Sequence, residues 1–381
     1  MDHYTICLLL GMLLTLSAVT YIVYVLRKRR DIGIDSAVIE TFRSRIRAWW
    51  LLFGMLVGAF LCGHTVTVIL FAMISFWALR EYITLTPTRP ADHYTLVWVF
   101  FLCMPLQFCL VAVNPDWFGR IFTIPPYLVF SILIPAYAFL ILPAGIAISG
   151  DSKRFLERVA KIQVGLLICV YSLSFAPALL TMELPPQGVR EHASMIETIS
   201  QDPMQVVTNV IRGNDHQDQD DNPLANAEEM PLQEVPSPPV RTSDGQSLRL
   251  LFFFVLLVQA SDVFQYLWSQ LTLFRHVVAT TINSSRTWEG VFGGAATTSI
   301  LAVALWWVTP IPYWWQAAVL GFVVSLMGFA GSLTMSAIKR DRGVKDYGSL
   351  IEGHNGVLDR IDSLCFAAPV FYHLIWLFLH S

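Results

Sequence analysis

The densest set of groups able to handle phosphate lies between Ser336 and Asp362. In 27 residues this stretch holds the cations Lys339, Arg340, Arg342, Lys345 and Arg360, five carboxylates, His354 and four glycines. Clustered Lys and Arg suit several phosphates at once, Arg through a planar fork and Lys as a point charge. Asp346, Asp359 and Asp362 offer hard oxygen ligands for Mg²⁺, an ion that keeps waters and shares substrate phosphates. Asp359 and Asp362 stand three apart, so a helix would point both the same way. Gly348, Gly353 and Gly356 let backbone turn tightly or approach a phosphate. These are the parts of a metal-assisted phosphoryl or nucleotidyl transfer site. The bland alternative is a solvated juxtamembrane loop resting on anionic lipid heads.

The elements that position this loop are apolar helices. With 55% hydrophobic and only 14% charged residues in 381, the chain is too apolar for an ordinary soluble protein, which carries roughly a quarter charged residues. A span needs about 20 apolar residues. Ten segments are expected: Thr5–Leu26, Ala48–Gly63, Thr65–Leu79, Tyr94–Val113, Ile121–Ser149, Ile162–Met182, Leu248–Trp268, Gly293–Thr309, Trp315–Met335 and Leu364–His380. The second and third are short enough to read also as one re-entrant or kinked hairpin. The fold class is therefore all-α, a polytopic membrane protein of about ten helices. Its parts are N-terminal spans (1–182), an acidic loop (183–246) and C-terminal spans (247–381).

With the N-terminus outside, ten spans place every Lys and Arg on the cytoplasmic side except Arg120, Arg190, Arg212, Arg241 and Arg249. That bias sets the orientation and puts Ser336–Asp362 in the cytoplasm. The basic cluster Arg27–Arg30 follows the first apolar run, the reverse of a cleaved signal peptide, so the run reads as an anchor. Glu183–Gln246, with twelve acidic residues, three arginines and eight prolines, has little to bury and is expected to be largely disordered outside the cell. The six cysteines lie singly in or beside apolar runs, without a CxxC pair, and read as small buried hydrophobes. Paired tryptophans at span ends read as interfacial belts and not as base-stacking platforms, so no nucleic-acid partner is expected.

The spacing Ser336, Ile338, Lys339, Arg340, Lys345, Asp346, Gly348, Ile351, His354, Gly356, Val357, Asp359, Arg360, Ile361, Asp362 resembles the signature of the phosphatidate cytidylyltransferases, or CDP-diacylglycerol synthases. Two positions depart from it: Glu352 stands where a proline or small residue is usual, and Asn355 replaces a glycine. Upstream, Asp262-Val-Phe-Gln265-Tyr266 is similar to the family's D-x3-Y element. Asn283 to Gly290 keeps its T-W-E-G, with Arg286 as the cation. Asp262 in an apolar run favours function, because a lone charge there is costly.

The resemblance implies CTP and phosphatidate as substrates, CDP-diacylglycerol and pyrophosphate as products, and Mg²⁺ as cofactor. It assigns Asp346, Asp359 and Asp362 to the metal. Lys339, Arg340, Lys345 and Arg360 would hold phosphates, His354 would relay a proton or donate a hydrogen bond, and Asp262, Arg286 and Thr287 would meet the nucleotide from upstream. It also implies a multi-pass protein of the bacterial inner membrane, surrounded by membrane lipids, with a homodimer as one expected assembly. A different lipid phosphate acceptor and a non-catalytic lipid-binding homologue stay open. A transporter is disfavoured, since its charges would sit within repeated, broken spans.

Overall fold

Backbone amides in hydrocarbon must be satisfied within the segment, so long apolar runs fold as helices. In the computed structural model of the protein, the described residues are 53–59, 61–86, 88–113, 126–182, 244–272, 276–344 and 356–380, with scattered positions between 9 and 50. They form eight main helices and one hairpin. The helices are α1 (His64–Leu85), α2 (Pro90–Ala112), α3 (Tyr127–Ile148), α4 (Phe155–Ala178), α5 (Asp244–Leu271), α6 (Trp288–Ala304), α7 (Trp314–Asp341) and α8 (Leu358–His380). The strands β1 (Val277–Ala279) and β2 (Asn283–Thr287) pair antiparallel between α5 and α6.

All of these except α6 are long and apolar enough to cross a membrane, and the protein is a polytopic all-α membrane protein. Three of the ten expected spans need comment. Thr5–Leu26 and Ala48–Gly63 lie wholly or partly outside the described residues. Gly293–Thr309 coincides with α6, a 17-residue helix that gives way to a short tight turn at Trp306–Val308. The acidic loop also falls outside the described residues, apart from 244–246 at the start of α5.

The third expected span lies within a helix of 22 residues, α1, long enough to cross a membrane by itself. Gly63, at φ 106°, turns the chain into it in a conformation that other residues rarely adopt. Arg80 and Glu81 cut the apolar run short in sequence, yet the helix continues through them. Arg80 lies over the Trp77 ring at 5.2 Å. In α3 the backbone widens into a π-type turn over Leu133–Ala138, around Pro135, where a helix-interior proline removes a hydrogen bond.

The core is built on α5. Leu250 to Phe254, Leu257 and Val258 are fully buried, as expected of a helix that is apolar all round. Phe254 packs on Phe371 of α8 at 4.8 Å between ring centroids. Helices α5 to α8 form the most closely packed group. Small residues allow this, as is usual between helices in lipid. A Cβ added at Gly294 of α6 would lie 2.5–2.9 Å from Gln265 of α5.

One end of the bundle gathers the polar groups. There Asp92, at the start of α2, accepts from Arg158 Nε at 2.9 and 3.1 Å. Asp151 accepts from Arg89 Nη1 at 2.8 Å, which holds its carboxyl below the usual range. At the same end the last turn of α1 meets the first residues of α8. Arg342, after α7, approaches Glu157 of α4 there.

Candidate active site

At that polar end, α5, α7, α8 and the hairpin converge. Asp262 lies on α5, Ser332 and Lys339 on α7, Asp359 and Asp362 in the first turns of α8, and Arg286 on β2. The hairpin carries Arg286 back over the bundle. Its position is held by a hydrogen bond from Trp288 N to His276 O at 3.0 Å and by Arg340 Nε donating to Ile282 O at 3.2 Å. His276 Nδ1 and Glu289 Oε1 stand 2.5 Å apart at the hairpin's base. This contact holds the Glu289 carboxyl below its ordinary range.

Arg286 is the hub. Its Nη1 donates to Gln265 Oε1 at 2.8 Å and its Nη2 to Ser332 Oγ at 2.9 Å, while Asp262 Oδ1 lies 3.6 Å from Nη2. A planar fork can reach α5 and α7 together, which a lysine could not. Gln265 is fixed in turn, donating to Ser325 O at 2.9 Å.

The two carboxylates Asp262 and Asp362 meet at one hydroxyl. Ser363 Oγ stands 3.1 Å from Asp262 Oδ1 and 3.5 Å from Asp362 Oδ1, and Ser363 N donates to Asp362 Oδ1 at 2.8 Å. Such close approach of α7 and α8 requires glycine: a Cβ on Gly331 would lie 2.6 Å from the Asp362 carbonyl oxygen. Asp359, one turn earlier on α8, pairs with Lys339 at 2.6 Å.

These positions sort the sequence expectations. Lys339, Asp359, Asp362, Asp262 and Arg286 come together in one site. Arg340 sits at its edge on the hairpin turn, and Arg360 lies in the first turn of α8. Thr287 is buried and serves as the N-cap of α6, its Oγ1 accepting from Gly290 N at 3.1 Å. Lys345, Asp346, Glu352, His354 and Asn355 lie outside the described residues.

Among the described residues no three His, Cys, Asp or Glu side chains are grouped as a metal site. Two carboxylates suffice for Mg²⁺ when substrate phosphates and water complete its shell. The pair Asp262 and Asp362, brought to one hydroxyl with Arg286 near it, has that chemistry. Sequence reasoning gave no role to Gln265, Ser332 or Ser363. Only Ser363 had a visible signal, as the polar residue directly after Asp362.

The family model of the cytidylyltransferase family matches residues 43–378. The chain is 31% identical over 335 residues to the uncharacterized protein YnbB of Escherichia coli, covering 87% of this chain and 86% of that one. It is 41% identical over 99 residues to a phosphatidate cytidylyltransferase of Synechocystis, covering 26% of this chain and 34% of that enzyme. With the Bacillus subtilis phosphatidate cytidylyltransferase the identity is 33% over 141 residues, 36% of this chain and 52% of the enzyme. Similarity to these two enzymes thus spans about a third to a half of their length. A membrane protein with this signature, matched over most of its length, belongs to the cytidylyltransferase family of nucleotidyltransferase enzymes.

Proposed function

We propose that this protein transfers the cytidylyl group of CTP to a lipid phosphate, phosphatidate in the simplest case, giving CDP-diacylglycerol and pyrophosphate. An oxygen of the lipid phosphate forms a bond to the α-phosphorus of CTP. The bond from that phosphorus to the bridging oxygen of the β-phosphate breaks, and its electron pair leaves with pyrophosphate. The nucleophile is already an anion, so positioning and charge neutralisation carry the catalysis.

The observation that carries this reading is the meeting of Asp262 with Asp362, the last residue of the signature, at Ser363 beside Arg286. Bound Mg²⁺ would supply charge neutralisation and a template for phosphate oxygens. Asp262 and Asp362 would hold it, because Asp359 is drawn to Lys339. Arg286 keeps Asp262 aimed and adds a positive field at the phosphates. Lys339 steers Asp359, and Arg340 and Arg360 receive phosphate oxygens at the rim. Lys345, Asp346 and His354 take their roles from the signature alone.

On the lipid side, a narrow apolar crevice lies where α1, α4, α5 and α8 meet. It reaches Ile361 and Leu364, on either side of Asp362, and Gln259, one turn before Asp262. The collection of Lys and Arg at this end of the bundle favours the cytoplasmic face, in keeping with the proposed place in a bacterial inner membrane. The limited span of similarity to the phosphatidate enzymes favours a second reading of the acceptor, a lipid phosphate other than phosphatidate.

The test is purified protein in nanodiscs, given labelled CTP, Mg²⁺ and a panel of lipid phosphates. Formation of a CDP-lipid and pyrophosphate only when Mg²⁺ is present is the expected result, and the best acceptor chooses between the two readings. No CDP-lipid with any acceptor refutes the function.

A further inference from the structure

Glu81 lies one turn from the end of α1, within a membrane-spanning segment. A carboxylate there is costly unless it finds partners. Its partners are two backbone amides at the start of α8. Oε1 accepts from Val357 N at 2.9 Å and Oε2 from Leu358 N at 2.8 Å.

The first amides of a helix have no acceptor within it, and a nearby Ser, Thr, Asp or Asn usually serves. The residues entering α8 are Gly356 and Val357, whose side chains offer no oxygen. The cap comes instead from another helix, 276 residues away in the chain. A negative group at this end also complements the helix dipole. Two oxygens on consecutive amides fix the rotation of the first turn as well as its height.

We infer that Glu81 is a positioning residue: it clamps the first turn of α8 and thereby sets the directions of Asp359 and Asp362. Asp359 follows Leu358 directly, and Asp362 comes three residues later. A rotation of that turn would move Asp359 from Lys339 and Asp362 from Asp262. The stump on the other side of the signature loop is held too. Arg342 Nη2 stands 3.9 Å from Glu157 Oε1 on α4, and Lys161 Nζ stands 2.5 Å from the same oxygen. The N-terminal helices, which carry none of the signature, thus contact the chain on both sides of residues 345–355.

The inference rests on the proposed role of α8 in cytidylyl transfer, so its test has two readouts. The first is hydrogen exchange of residues 356–362 in the full-length protein, comparing wild type with Glu81→Gln, Glu81→Asp and Glu81→Leu. The Gln and Leu variants are expected to exchange there about tenfold faster or more, with α5 unchanged and Asp intermediate. The second is turnover. kcat should fall roughly 10- to 100-fold in Glu81→Gln with KM for CTP changed less than about threefold, and Glu81→Asp should recover part of the loss. Wild-type exchange in Glu81→Gln overturns the clamp, as does faster exchange with unaltered kcat. If Glu81→Gln loses protection throughout the protein, Glu81 is a general structural residue and the inference also falls. A wild type that transfers no cytidylyl group refutes the function instead, and the exchange measurement still decides the clamp.

Discussion

Replacing Lys339 by Met leaves Asp359 with a side chain only 8% exposed and without the ammonium that stands 2.6 Å away. At that distance the attraction is about 6 kcal/mol with an effective dielectric constant near 20, and much of it is offset by desolvating both ions. Removing one partner of a buried pair strands the other charge and typically costs about 3–5 kcal/mol. Lys339→Met and Asp359→Asn should therefore each destabilise the protein, and the double variant should recover about 1.5–3 kcal/mol relative to the sum of the two. The assay is a double-mutant cycle by denaturant titration in mixed micelles, run alongside Mg²⁺-dependence of turnover. Both single variants should lose turnover, yet the Mg²⁺ concentration for half-maximal rate should stay near the wild-type value. Additive stabilities would refute the pair. A large rise in the Mg²⁺ requirement of Asp359→Asn would return Asp359 to the metal and refute the assignment of Asp262 in its place.

Asp262→Asn and Asp362→Asn should each remove most turnover, and Ser363→Ala should raise the Mg²⁺ requirement several-fold; unchanged Mg²⁺ titrations would argue against the carboxylate pair. Gly331→Ala must push α8 from α7 and is expected to cost about 1–3 kcal/mol and most of kcat, whereas Gly328→Ala, whose Cβ would meet Ser363 at 3.4 Å, should be milder. Equal effects of the two in a melting assay would count against the packing argument. Glu289 has its carboxyl held down by His276, so its contribution is present above the unfolded carboxylate pKa and fades as pH falls through the lower folded value. Fluorescence of Trp288 should report loosening of the hairpin in that acid range, and Glu289→Gln should abolish the acid dependence; an unaltered acid midpoint in that variant contradicts it. In a cysteine-free background, Ser285→Cys should be labelled from the cytoplasmic side only, and labelling from outside alone would invert the topology.

Most of the spans could be read from apolar runs alone, because hydrocarbon leaves the backbone few choices. The failures came where charge interrupts a helix. Asp262 stands out in the sequence because it breaks a long apolar run. Glu81 poses the same cost in α1 but truncates its run, so the segment looked short and the residue looked like a loop. Arg286 and Asp262 could be picked out singly, but their pairing requires the hairpin to fold back over α5. Val277–Ala279 is too short to show a strand's alternation. Gln265 and Ser332 gave no signal, since uncharged polar residues are common in apolar helices and their partners are set only by packing. The individual partners of Asp359 and Asp362 are also hidden: spacing puts both on one face, while Lys339 pairs with Asp359 and Ser363 with Asp362.

The ion pair between Asp92 and Arg158 bears on how the chain enters the bilayer. The two residues are 0% and 5% exposed in the finished protein, yet they belong to α2 and α4. During synthesis α2 emerges with its aspartate well before the arginine exists. An unmatched charge resists leaving water, by about 2.5–3.5 kcal/mol at a helix centre and less near an end. The start of α2 must then wait at the membrane surface, keeping Asp92 hydrated, until α4 arrives and the two can be buried together. Insertion of the N-terminal helices is in this sense a joint event, and a chain arrested between α3 and α4 would hold α2 in a shallower position than it occupies at the end.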